Sequence, residues 1–141
     1  MERKGKMERR KKLPEIVMES WQPVEEVEMV LVVNTELGMG KGKVAAQCGH
    51  AAVACFKAGL MEEPQLVAAW ERTGQTKVVV RGGGEESLLA VSLAGRQAGM
   101  VVAEVRDAGR SQVEASSLTV IGLGPANNLL IDKVAGKLKL L

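Results

Sequence analysis

Aromatic residues are nearly missing from this chain. Trp21, Phe56 and Trp70 are the whole set, and there is no tyrosine. The core must therefore be aliphatic, built from Val, Leu, Ile, Ala and Met, and recognition of RNA by stacking bases on a sheet is disfavoured. Cysteine and histidine are as scarce: Cys48, Cys55 and His50. The two thiols lie seven residues apart on one predicted helix, roughly 10 Å between Cα atoms, too far for a disulfide. They read as buried thiols of a reducing compartment, with the cytoplasm the expected location. One histidine and no cysteine pair at ligand spacing disfavour a zinc site; no metal or cofactor is expected. No apolar run reaches the ~18 residues of a membrane span. The basic start contains glutamates and no apolar segment, so it fits neither a signal nor a transit peptide.

What is present is enough for one domain with a real core: 141 residues, 46% of them apolar. Net charge is only +2, but it is unevenly placed. Residues 3–12 carry Arg3, Lys4, Lys6, Arg9, Arg10, Lys11 and Lys12, and residues 13–28 carry five glutamates and no base. Residues 1–27, with Pro14 and Pro23 and little periodicity, are expected to be a charged, disordered tail ahead of a domain at 28–141. From residue 29 the chain is close to neutral, so any nucleic-acid contact by the domain must come from a local patch.

Met29–Val33 is a β-branched run suited to a strand buried on both faces. Glycines 38, 40 and 42 make a loop, and Val44–Ala58 is a predicted helix rich in alanine, ended by Gly59. Helices are also expected over Glu63–Arg72, Glu85–Gln97 and residues 126–135. Strands are expected over Lys77–Arg81, Met100–Val105 and Leu118–Leu123, the last ended by Gly124-Pro125. Alternating strands and helices imply an α/β domain with a central sheet and helices on its faces. The third and fourth strands are joined by a loop alone, which predicts at least one antiparallel pair.

Residues 38–50, Gly-Met-Gly-Lys-Gly-Lys-Val-Ala-Ala-Gln-Cys-Gly-His, are the most distinctive stretch. Lys41 and Lys43 sit at a helix start, where cations are ordinarily unfavourable. Their ammonium groups and the free N–H groups of the first turn suit a phosphate or a developing oxyanion. The spacing matches neither a Walker A loop nor a dinucleotide fingerprint, which weakens a nucleotide-binding reading. Lys43, Gln47 and His50 share one helix face, as a solvent stripe or a functional line. Farther on, Arg106-Asp107-Ala108-Gly109-Arg110-Ser111 carries ordinary turn chemistry at Asp-x-Gly. It also offers an aspartate able to orient water or polarise a hydroxyl, with Ser111 and Thr119 as candidates. No histidine follows at a position suggesting a Ser-His-Asp triad, so that mechanism is disfavoured.

Taken in order, several segments resemble the archaeal and eukaryotic (type two) peptidyl-tRNA hydrolases. They are Met29–Val33, Met39–Ala52, Trp70, Gly74–Val80, Asp107–Gln112, Thr119–Pro125 and Leu138–Leu140. The match covers residues 29–141 with no element missing. The resemblance implies a compact α/β domain with a four-stranded mixed sheet, often a homodimer. It implies hydrolysis of the ester between a peptide and the 3′-terminal ribose of tRNA, without a metal. By match to the family's motif, Lys43, Asp107, Ser111 and Thr119 are the expected active-site residues, and Gln47 and His50 line the same region. Lys41, Arg110 and Arg81 are expected to hold tRNA phosphates. Some members carry an N-terminal membrane anchor, which this charged start does not resemble. Three positions depart from the family's usual pattern: Ser111 stands for Thr, Asn34 for Arg, and Gly38 for Lys. The alternative reading is a domain of the same fold that binds RNA or protein without turnover. Those departures favour it, and the retained Lys43, Asp107 and Ser111 hydroxyl favour the catalyst.

Overall fold

Two kinds of hydrophobic pattern, continuous in the strands and small-residue-rich in the first helix, resolve into a layered α/β fold. The computed structural model describes residues 26–109 and 116–141. Its elements run β1 (Val27–Asn34), α1 (Lys41–Glu62), α2 (Pro64–Arg72), β2 (Lys77–Gly83), α3 (Glu85–Gln97), β3 (Val102–Arg106), β4 (Leu118–Asn127) and α4 (Asn128–Ala135). The sheet has the order β2-β1-β4-β3. β1 and β2 pair in parallel, with Val30 opposite Val78, and β4 pairs antiparallel with both β1 and β3. The expected four-stranded mixed sheet is the one found, and β1, β2 and β3 end at the same edge.

Alternation along β1 divides the core. Val27, Met29, Leu31 and Val33 face α1 and α2, joining Cys48, Ala51, Cys55 and Trp70. Val30 and Val32 face α3 and α4, joining Leu88, Ile121, Leu123, Ile131 and Ala135. This period of two, buried on both sides, is what the β-branched run predicts. Helices therefore cover both faces. Gly122 lets α1 lie close to the sheet: a Cβ there would sit 2.5 Å from Cys55 Sγ.

Several element boundaries differ from expectation. The first helix does not stop at Gly59; it begins at Lys41 and continues to Glu62. Gly59 is buried inside it, where a Cβ would meet Val67 Cγ2 at 2.7 Å. Its glycine serves close packing of α2, not termination, and Pro64, first residue of α2, marks the break. The last strand is not ended by Gly124-Pro125 but runs to Asn127. Glu28 pairs with Ala126 and Val30 with Leu123, so Gly124 and Pro125 occupy an irregularity opposite Met29. Proline, with no N–H to give a ladder, is tolerated at such a bulge. α4 accordingly starts at Asn128, capped by the Asn127 side chain, which accepts from Leu129 N at 2.7 Å.

The C-terminal residues close one edge. Arg81 N donates to Lys139 O at 2.8 Å and Leu141 N to Val79 O at 3.0 Å, with Leu140 bridged antiparallel to Val80.

Candidate active site

The carboxyl ends of β1, β2 and β3 and the N-terminus of α1 meet at one edge of the sheet, the place where open α/β sheets bind ligands. α1 starts there with Gly40 as N-cap, no side-chain cap and no acidic residue in its first turn. Lys43 extends from this turn to Asp107, just past β3, and its ammonium donates to Asp107 Oδ1. The pair is well inside the protein: the Lys43 side chain is 14% exposed and that of Asp107 1%. A carboxylate so placed needs its charge and hydrogen bonds met. Besides Lys43, Gly109 N donates to Oδ2 at 2.8 Å, closing the Asp-x-Gly turn. Asp107 N donates to Ser117 O, and Ser116 N donates to Asp107 O, both at 2.9 Å. The turn reading and the functional reading of Asp107 therefore hold together. Lys43 and Asp107 thus form a buried ion pair and not an exposed constellation, because Asp107, just past β3, meets the first turn of α1.

Gln47 lies one turn beyond Lys43. Its side chain is not on a solvent stripe: it is 4% exposed and its Nε2 donates to Thr119 Oγ1 at 2.7 Å. The shared line of Lys43, Gln47 and His50 thus divides. Lys43 and Gln47 turn inward, while His50 is exposed, as is Lys41. Thr119, fully buried, also donates to Val105 O at 3.1 Å.

Strict alternation would send Thr119 to the same face as Ile121 and Leu123, away from α1. A bulge prevents this. Val105 pairs with Val120 and Arg106 with Leu118, leaving Thr119 as the extra residue of β4. Leu118 then joins the α3–α4 core and Val120 the α1–α2 core, while Thr119 also reaches α1. Bulges commonly re-aim side chains beside functional sites in this way.

Asn34, at the end of β1, supports the same edge. It is buried, its Nδ2 donates to Leu118 O at 2.8 Å, and its Oδ1 accepts from Glu36 N at 3.0 Å. On the outer side of the β3–β4 junction, Arg106 Nη1 donates to Ser116 O at 2.7 Å and lies 3.7 Å from Glu85 Oε2. No pattern in the sequence marks Asn34 or Arg106 as braces of this edge; Leu118 lies 84 positions from Asn34, and Glu85 belongs to another element than Arg106. Arg81 sits on β2, at the opposite edge from β3, with its Nε donating to Leu140 O at 3.3 Å. Arg110 and Ser111 lie outside the described residues.

Neither cysteine suits a nucleophile. Burial raises the thiol pKa of Cys48, and that of Cys55 is pushed up to about 12, which leaves both protonated. Among the described residues no three His, Cys, Asp or Glu side chains gather as a metal site, and no helix is long and apolar enough to cross a membrane.

A glycine- and lysine-rich helix start, a lysine–aspartate pair and a bulged strand come together at one edge of an α/β domain. Residues 27–141 match the family described as Peptidyl-tRNA hydrolase PTH2, and the chain belongs to that family. It is 49% identical over 115 residues to "Peptidyl-tRNA hydrolase 2, mitochondrial" of Mus musculus, covering 82% of this chain and 64% of that protein. It is 42% identical over 115 residues to "Peptidyl-tRNA hydrolase" of Methanocaldococcus jannaschii, covering 82% of this chain and 100% of that one. The aligned region thus spans a little under two-thirds of the mammalian relative's length.

Proposed function

We propose that this chain hydrolyses the ester between the peptide and the 3′-terminal ribose of peptidyl-tRNA. The observation that carries the reading is the buried Lys43–Asp107 pair at the N-terminus of α1, in a chain of this family. Water adds to the ester carbonyl, giving up a proton toward Asp107. The oxyanion that develops is stabilised by the Lys43 ammonium, which keeps two protons beyond the one given to Asp107, and by first-turn N–H groups of α1. The proton passes to the leaving ribose oxygen as the C–O bond breaks, yielding peptide and free tRNA. In this scheme Ser111 helps hold the attacking water, and Lys41, Arg110 and the exposed His50 contact the tRNA end. The proposed assembly is a homodimer and the proposed compartment the cytoplasm, where thiols such as Cys48 and Cys55 stay reduced.

Incubating the purified chain with N-acetyl-aminoacyl-tRNA and following ester cleavage tests the activity. Release of free tRNA in the presence of chelator, with unblocked aminoacyl-tRNA spared, is the expected result. A well-folded sample without turnover would instead support a binding module of the same fold.

A further inference from the structure

Thr119 is completely buried, so its hydroxyl cannot itself meet a substrate at the surface. That hydroxyl has one hydrogen and two neighbours, Val105 O at 3.1 Å and the Gln47 amide at 2.7 Å. Val105 O can only accept, so the hydrogen goes there. Gln47 must then present its NH2 to Thr119, because its carbonyl would meet a lone pair. The amide orientation, ordinarily an assignment of convenience, is fixed by this count. Gln47 Oε1 is thereby turned away from Thr119, and it accepts no hydrogen bond among the described residues. A buried acceptor left without a donor is unfavourable. Such a group, one helical turn from Lys43, is an acceptor reserved for something that arrives.

We infer that Thr119 is a positioning residue that clamps the Gln47 amide through the β4 bulge, and that Gln47 Oε1 accepts a hydrogen bond from the attacking water. This role rests on the proposed hydrolysis. Water gives one hydrogen to Gln47 Oε1 and the other toward Asp107, which leaves an oxygen lone pair for the ester carbon. No covalent bond between substrate and protein forms, and the proton taken up at Asp107 passes on to the leaving ribose oxygen. The bulge is the device that makes this possible, since without it Thr119 faces the other core and Gln47 has no clamp.

The test measures kcat and KM on N-acetyl-aminoacyl-tRNA for Thr119→Val, Thr119→Ser, Gln47→Met and the double variant Thr119→Val/Gln47→Met. Thr119→Val lowers kcat about 10- to 100-fold with KM little changed, the scale of a misplaced reacting group. Thr119→Ser restores the parental kcat. Gln47→Met loses at least as much, and adding Thr119→Val to it costs nothing further, as expected when one residue acts only through another. Gln47→Glu, which keeps the length but removes the donor to Thr119, falls with them. The clamp has a readout apart from turnover: the Gln47 side-chain NH2 is protected from hydrogen exchange in the parent and in Thr119→Ser, and unprotected in Thr119→Val. Multiplying losses in the double variant, or an unprotected Gln47 amide in the parent, would overturn the inference while leaving the hydrolase reading intact. A parent chain that leaves N-acetyl-aminoacyl-tRNA uncut removes the hydrolase reading, and this role with it.

Discussion

The two faces of the sheet are built differently. The α3–α4 face is filled by large aliphatic side chains, among them Leu88, Leu118, Ile121, Leu123 and Ile131. On the α1–α2 face the sheet and α2 supply the bulk, with Met29, Leu31 and Trp70, while α1 itself brings small and soft residues, Ala51, Cys48 and Cys55, and is let in by Gly122. It is also the face that receives Gln47, Thr119 and the Lys43–Asp107 pair. The α3–α4 face meets the sheet with large side chains, whereas α1 trades bulk for a close approach that lets its first turns be aimed. Stability and chemistry should therefore separate by face, and substitutions can test how cleanly.

The largest effect is expected at the ion pair. Lys43→Ala and Asp107→Ala should each lower kcat about 10²–10³-fold, the scale of a lost oxyanion contact. Lys43→Ala should also cost about 3–5 kcal/mol in a urea melt, because it takes the ammonium away from a carboxylate whose side chain is 1% exposed. Lys43→Met combined with Asp107→Asn removes both charges and should recover most of the stability but none of the activity. Recovery of turnover in that double variant would show the pair to be structural only.

Next comes the opposite face. Leu88→Ala empties a fully buried site and should cost about 2–5 kcal/mol. Assayed well below its melting temperature, that variant should keep the parental kcat. A proportionate loss of kcat would mean the faces are coupled through the sheet.

Gly122→Ala sharpens the comparison because it loads one face from within the other's strand. The new methyl meets Cys55 Sγ at 2.5 Å, so α1 must lift or Cys55 must turn. Overpacking of this kind costs about 1–3 kcal/mol. Here it should lower kcat as well, by carrying Lys43 and Gln47 off their partners. Adding Cys55→Ala should return both quantities toward the parent; if activity stays low, the lifted helix is not the cause.

The smallest effect lies near the start of β1, on the side of α4. Glu28 on β1 has its carboxyl pKa raised by burial first, then by the charges of Asp132 and Glu26. A raised carboxylic pKa means the fold prefers the protonated form. Glu28 therefore costs nothing below the unfolded-state pKa of about 4.3, and stability falls as pH rises through the higher folded value. Glu28→Gln should raise the melting temperature slightly at neutral pH and leave it unchanged below pH ~4. A gain that is the same at both pH values would show that packing, not charge, is at issue.

Much of the scaffold was legible because it rests on patterns local to the chain. The β-branched run at Met29–Val33 and the alanines of α1 state their own burial, and the lysines at 41 and 43 announce an unusual helix start. Boundaries failed at Gly59 and Gly124-Pro125 because the same residues that end elements also allow close approach and bulges, and only the third dimension distinguishes the uses. The site was legible at Lys43 and Asp107 as residues, but not as a buried pair, since the two are 64 positions apart. Thr119 could not be placed from periodicity at all. One bulged position in β4 reverses the face that alternation assigns to it, and nothing in Leu118–Leu123 spells out the bulge.

The short C-terminal pairing on β2 has a bearing on how copies of this chain can meet. An open strand edge is a template for sheet extension between molecules. On β2 the backbone of Val79 and Arg81 is already engaged by Lys139 and Leu141. The far edge, β3, is only five residues long and carries exposed Glu104 and Arg106. A sheet blunted at one end by its own chain and at the other by brevity and charge resists growth by strand addition. Self-association must then proceed through helices or loops, and aggregation on heating should begin with release of the last three residues.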